Sequence, residues 1–269
     1  MVGARTEIPG EVSVMKERMV LIVGAFALLT TACGSGGGSA SSTPSAQTSP
    51  SAGSSASASG YHPVIDPANF QAVVDNPWFP LKPGSTYIYR GTKDGEPSRD
   101  VYVVSHETKL VDGVPCVVVD DKLYLSGVLE EKTSDYYTQD RQGNVWYFGE
   151  ATAELDKKGN VKSTEGSWTA GQDGAEPGIF MEADPTAGHS YRQEYYKGHA
   201  EDQYEVVTLA SPIKVPYGSF TDALLTKEWT ALEPAVLDHK YYVKGVGEVA
   251  ELSVKGPTER ALLVSFAAG

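Results

Sequence analysis

This sequence predicts an antiparallel all-β domain, a sandwich or partly closed barrel of eight or more strands, and three observations support the prediction. From residue 85 onward, short runs rich in Val, Tyr, Thr and Ile alternate with Asp-Gly and Gly-Asn turns, the punctuation of hairpins. The first sixty residues carry nothing that can enter a core, which leaves one domain over 61–269. The domain also resembles itself. Gly84-Ser85-Thr86-Tyr87 returns as Gly188-His189-Ser190-Tyr191, Val103-Val104 as Val206-Val207, Leu129-Glu130 as Leu232-Glu233, Tyr136-Tyr137 as Tyr241-Tyr242, and Gly143-Asn144-Val145 as Gly247-Glu248-Val249, at offsets of 103 to 105. Either two copies of one unit, about 84–149 and 188–253, share a core, or two β halves of similar length share turn residues.

Taken in order, residues 1–32 read as a signal peptide. Met19 to Leu29 is an eleven-residue apolar run behind Lys16 and Arg18, too short to span a bilayer. Glu7, Pro9 and Glu11 dilute the positive end before it, so translation is expected to start at Met15. The run ends in Leu28-Leu29-Thr30-Thr31-Ala32-Cys33-Gly34, which resembles the lipobox of bacterial lipoproteins. The resemblance implies diacylglycerol on the Cys33 thiol, Cys33 as the new N-terminus, and a lipid-anchored position on a cell membrane, facing outside the cytoplasm. A single acyl chain anchors only marginally, so the second chain matters.

Gly34 to Gly60 holds no charged and no large apolar residue, so 33–60 is expected to be a disordered tether with a span of about 30 Å. The net charge of −13 survives removal of 1–32, which takes away three basic and three acidic residues. An acidic domain repels nucleic acid and anionic headgroups. The expected partners are the membrane, through Cys33, and a small ligand or an envelope protein, with no nucleic acid. Cys116 then has no intrachain partner and reads as a small buried hydrophobe.

Within the domain, 61–83 carries five prolines and is neither a central strand nor a long helix. Asp66 to Val74 predicts one short helix capped by Asp66 with Pro67 in its first turn. Asn76 to Gly84 brings Trp78 and Phe79 together on a stiff loop that is expected to plug the open end of the β core. Hairpins follow over Ser85–Thr92, Arg99–Val111 and Val114–Tyr124. Asp140 to Val145 and Asp156 to Val161 repeat one turn chemistry and offer too few carboxylates for an EF-hand loop. Residues 150–187 read as a long connecting loop that docks over a cavity mouth.

No Gly-x-Ser-x-Gly, phosphate-cradling loop, zinc-spaced cysteine pair or His-Glu-x-x-His occurs. No cofactor and no metal site is therefore expected; His199, Asp202, Glu228 and His239 lack any local ligand spacing. The densest polar cluster is in the second half. Alternation places Glu194 with Tyr196, Thr226 with Glu228, and His239 with Tyr241. Pointing inward they make a pocket walled by tyrosine; pointing outward they are a solvated sheet surface. The candidate ligand site is Glu194, Glu228, His239 and Tyr241, with Trp229 at the rim and 150–187 as partial cover.

Lys214-Val215-Pro216-Tyr217-Gly218-Ser219-Phe220, with Tyr241-Tyr242-Val243-Lys244-Gly245-Val246-Gly247-Glu248-Val249 after it, resembles uncharacterised secreted bacterial β proteins. It is loosely similar to envelope carriers with a lipoprotein-carrier half-barrel, which implies an apolar cavity for acyl chains. Three functions follow. The leading one is a non-enzymatic, membrane-anchored lipoprotein that binds a ligand or envelope partner. The others are a hydrolase or metal-assisted enzyme using the His/carboxylate cluster, and an acyl-chain carrier.

Overall fold

The computed structural model describes residues 61–269; the signal segment, Cys33 and the tether lie outside them. The described residues form sixteen strands and no α-helix: β1 (Phe70–Gln71), β2 (Thr86–Lys93), β3 (Glu96–Val111), β4 (Val114–Leu125), β5 (Val128–Asp140), β6 (Val145–Leu155), β7 (Val161–Ser163), β8 (Trp168–Thr169), β9 (Glu176–Met181), β10 (Ser190–Arg192), β11 (Glu194–Tyr195), β12 (Asp202–Val215), β13 (Gly218–Thr230), β14 (Leu237–Val243), β15 (Gly247–Lys255) and β16 (Glu259–Ala267). They make one antiparallel sheet that curls into a nearly closed barrel, in the order β10-β12-β13-β14-β15-β16-β2-β3-β4-β5-β6-β9-β11. The two self-similar segments run through the same order, β2 to β6 in one and β10, β12 to β15 in the other. A matching pair of backbone bonds opens each: Gly84 N–H to the Val104 carbonyl and Gly188 N–H to the Val206 carbonyl, both 2.8 Å.

Closure falls to one six-residue stretch. Residues 190–192 pair with β12 on one side, and Glu194 and Tyr195 pair with Pro177 and Glu176 of β9 on the other. The backbones come so near that a Cβ on Gly178 would collide with the carbonyls of Arg192 and Gln193. Glycine is required there for close approach rather than for a turn.

Turn chemistry sets the hairpins. Asp94, Asp112, Gly95 and Gly113 all have positive φ, the left-handed pair that a two-residue hairpin needs. Asp140 accepts from the backbone N–H groups of Gln142 and Asn144, and Asp156 from those of Lys158 and Asn160, so both carboxylates are spent on turns. The connections at 94–95, 126–127, 156–160, 231–236 and 256–258 lie at one end of the barrel; those at 112–113, 141–144, 216–217 and 244–246 lie at the other.

The second end is plugged, as Asn76 to Gly84 predicts. Trp78 and Leu81 are buried, and the Phe79 ring meets Tyr137, Phe180 and Tyr242 at 5.3, 4.6 and 6.4 Å. Two expectations need correction. The helix from Asp66 is a single 3-10 turn, Pro67–Asn69, capped as expected by Asp66; pairing of Phe70 and Gln71 with β5 outcompetes its extension. Residues 150–187 are no loop over a mouth. They complete β6 and supply β7, β8 and β9, which pair with β6 and so build wall.

Gly178→Ala should cost about 1–3 kcal/mol by overpacking the seam. The urea midpoint of the full-length protein checks this, and an unchanged midpoint would show that the seam does not carry closure.

Candidate functional site

Alternation along each strand of a closing sheet sends one set of side chains inward. On β13, Thr226 and Glu228 point in. On β14, paired Thr226 to Lys240 and Glu228 to Asp238, the inward set is Asp238, Lys240 and Tyr242. His239 and Tyr241 therefore lie on the outer face, with His239 opposite Lys227 and Leu252. This corrects the predicted pocket. Glu228 is inside, Glu194 is fully buried, and Trp229 touches the cavity edge with the Lys227 ammonium 5.8 Å over its ring. The set His199, Asp202, Glu228 and His239 does not assemble either. His239 is outside, and His199 stacks on Tyr196 at 4.3 Å. Among the described residues, no group of three or more His, Cys, Asp or Glu is placed to hold a metal ion.

The barrel instead encloses a cavity of about 190 Å³. Its floor is aromatic, with Phe79, Tyr87, Tyr89, Tyr102, Tyr137, Tyr147 and Phe180. Towards the end opposite the plug it is acidic. Asp100 of β3, Asp121 of β4, Glu131 and Asp135 of β5, Glu150 of β6, Asp202 of β12, Glu228 of β13, Glu233, Asp238 of β14, Glu248 and Glu251 of β15, and Glu259 of β16 line it. Lys93, Lys240 and Arg260 are the cations among them. No sequence motif marks this set, because its carboxyls are spread over nine strands and one turn.

At Glu228 both carboxylate oxygens are satisfied. Glu228 accepts from Thr226 (2.9 Å), Tyr242 (3.3 Å) and Gln193 (3.4 Å) and pairs with the Lys240 ammonium at 3.1 Å, which also lies 3.9 Å from Glu251. Burial alone would push the Lys240 ammonium down; Glu228, Glu251 and Glu248 overcome it and hold its pKa well above the ordinary lysine range. Lys93 pairs with Glu259 at 3.7 Å. Another part is unsatisfied. Asp121 Oδ1, Glu131 Oε2, Glu150 Oε1 and both oxygens of Glu194 are buried without a hydrogen-bond partner.

Burial, reinforced by neighbouring carboxylates, is the main cause that raises these acids. Asp100, Glu131, Asp135, Asp202 and Glu259 are pushed up to about 7 and Glu248 to about 8, with Lys93 or Lys240 pulling most of them back. Asp121, Glu150 and Glu194 lie well above the usual carboxylate range, again through burial and then mutual repulsion. Outside, burial lowers the His239 imidazole.

No family model and no curated protein matches the chain. Among solved structures it is similar to a protein from Bacteroides fragilis inferred to be exported and described as having a YmcC-like fold. That match has 16% identity and a TM-score of 0.42, over 71% of this chain and 98% of the other. It is also similar to a protein from Parabacteroides distasonis inferred to be a lipoprotein, at 13% identity and a TM-score of 0.39, over 73% and 100%. Neither likeness bears on function.

The pH dependence of stability follows from the raised carboxyls. Between about pH 4 and 7 the folded protein keeps protons that the unfolded chain has released, so the unfolded state binds fewer and stability falls as pH rises. Calorimetry should therefore find a higher unfolding temperature at pH 5 than at pH 8. The reverse order would mean that the carboxyls are ionised and paired inside.

Proposed function

We propose that this chain is a membrane-anchored extracytoplasmic lipoprotein whose barrel interior binds a small ligand without acting on it chemically. The observation that carries the reading is the cavity itself: enclosed by strands, plugged at one end, and lined by groups whose hydrogen-bonding capacity is only partly used. Natural ligand sites combine an aromatic wall with a few polar groups in this way, and barrel mouths are a recurrent place for them. The volume limits the ligand to a small molecule.

An acyl chain fits poorly, since it would strip water from the carboxyls and return no hydrogen bond. A hydrolase built on His239 loses its base, because that ring lies on the other side of the sheet from Glu228. The anchor reading rests on the lipobox-like ending at Cys33. At the start of the described residues the Tyr61 hydroxyl donates to the Pro177 carbonyl at 2.9 Å and its ring meets Tyr195 at 5.9 Å, which fastens Tyr61 to the seam between β9 and β11.

Two measurements test the proposal. Cys33→Ala should move the protein from the membrane fraction to the soluble or unprocessed one, and an unchanged membrane fraction with a free Cys33 thiol would sink the anchor. Native mass spectrometry of the full-length chain released gently from detergent should find a co-purified small molecule. An acyl-chain mass in its place would overturn the ligand reading.

A further inference from the structure

We infer that the ligand of this cavity is a small protonated organic amine, its ammonium taken by the open carboxyl oxygens on the β4 to β6 wall and its carbon skeleton laid on the neighbouring tyrosines. The inference rests on the reading that the barrel interior is the binding site, and it names the class of molecule that interior recognises.

The protein supplies its own example of an ammonium in this interior. Lys240, almost wholly buried, is held between Glu228 and Glu251, and Lys93 meets Glu259 in the same manner. Those pairs use carboxyls of β13, β15 and β16. Across the cavity, Glu131 and Glu150 are 5% and 2% exposed, and Glu131 Oε2 and Glu150 Oε1 have no hydrogen-bond partner; Asp121 Oδ1 is in the same condition. A buried carboxyl oxygen without a partner has lost its water and gained nothing in return, so a group that satisfies it relieves a standing penalty.

The charge balance gives the sign of that group. Around Glu131 stand Lys93 of β2, Asp100 of β3, Asp121 of β4, Asp135 of its own strand and Glu154 of β6; around Glu150 stand Asp135, Glu194, Glu131 and Asp202. Carboxyls outnumber cations in both sets, and a neutral polyol would meet the hydrogen bonds but leave the repulsion in place. The wall beside Glu150 then gives the rest of the molecule. Tyr137 and Tyr147 stack at 4.8 Å, with Phe180 5.0 Å from Tyr137. Aromatic faces attract an ammonium and its flanking methylenes but cannot replace the oxygen shell of a divalent metal. With Glu131 and Asp135 pushed up to about 7, these carboxyls hold protons that an arriving cation displaces, so binding releases protons.

Isothermal titration calorimetry on the full-length chain in detergent micelles tests this, with 1,4-diaminobutane and 2-phenylethylamine as ammonium probes, glucose as the neutral probe and calcium as the metal. An amine should bind with proton release, and about tenfold more tightly at pH 8 than at pH 6 for one carboxyl titrating near 7. Glu131→Gln/Glu150→Gln, which keeps shape and removes two charges, should weaken amine binding at least tenfold, with the single Glu131→Gln in between. His239→Ala on the outer face should leave it unchanged. Binding of glucose or calcium in place of the amines, or amine binding that the double substitution does not weaken, would overturn the amine inference and leave the barrel as a ligand site. If no probe binds and no small molecule co-purifies, both readings fall.

Discussion

A sheet that curls until its edges meet gives every strand one face in water and one face inside, and the rest of this structure depends on that period of two. Whatever sits on the inward parity shares a space too small to hydrate each group separately. Near the plug the inward residues are aromatic, and their hydroxyls reach backbone carbonyls, Tyr87 to Pro80 at 3.1 Å and Tyr89 to Glu248 at 2.9 Å. Towards the other end they are carboxyls. The same walls thus hold a packed core and a cavity.

The two halves of the acidic zone solve the burial problem differently. Glu228 is surrounded by four donors, one of them charged, and both its oxygens are satisfied. Glu131, Glu150 and Glu194 have open oxygens and meet burial by holding protons. A complete network rigidifies, while an incomplete one is a source of strain unless something external finishes it. The satisfied carboxylate thus lies on β13, and the open oxygens lie on β4 to β6 and on β11.

Much of the fold was legible in the sequence because turn chemistry is local. Asp-Gly at 94–95 and 112–113, and the Asp-to-Asn turns at 140–144 and 156–160, mark strand ends that the structure keeps within a few residues. Closure was not legible. It depends on six residues that change partners at Gln193 and on a glycine, Gly178, whose reason is a backbone far away in sequence. The site was legible in composition but not in parity. On β14, Asp238-His239-Lys240-Tyr241-Tyr242 offers a charged group and a tyrosine on both faces, so hydrophobic pattern cannot set its phase. Only the partner strand does, through Thr226 opposite Lys240.

The pattern that most misleads a reading by alternation is also what fills the cavity. On β6, the register shifts by one residue between the Asp135 and Tyr137 pairings, at Gly149, whose φ is 133°; on β15, it shifts by one between the Tyr241 and Tyr242 pairings. Each bulge lies beside the Tyr-Tyr pair that the two halves share. A bulge re-aims side chains, and here it lets two residues three apart both face inward: Tyr147 with Glu150, and Glu248 with Glu251. Without the shifts, strict alternation would send one member of each pair to the outer surface. The inward placement of Glu150, and of Glu248 together with Glu251, is thus tied to two equivalent irregularities in the sheet.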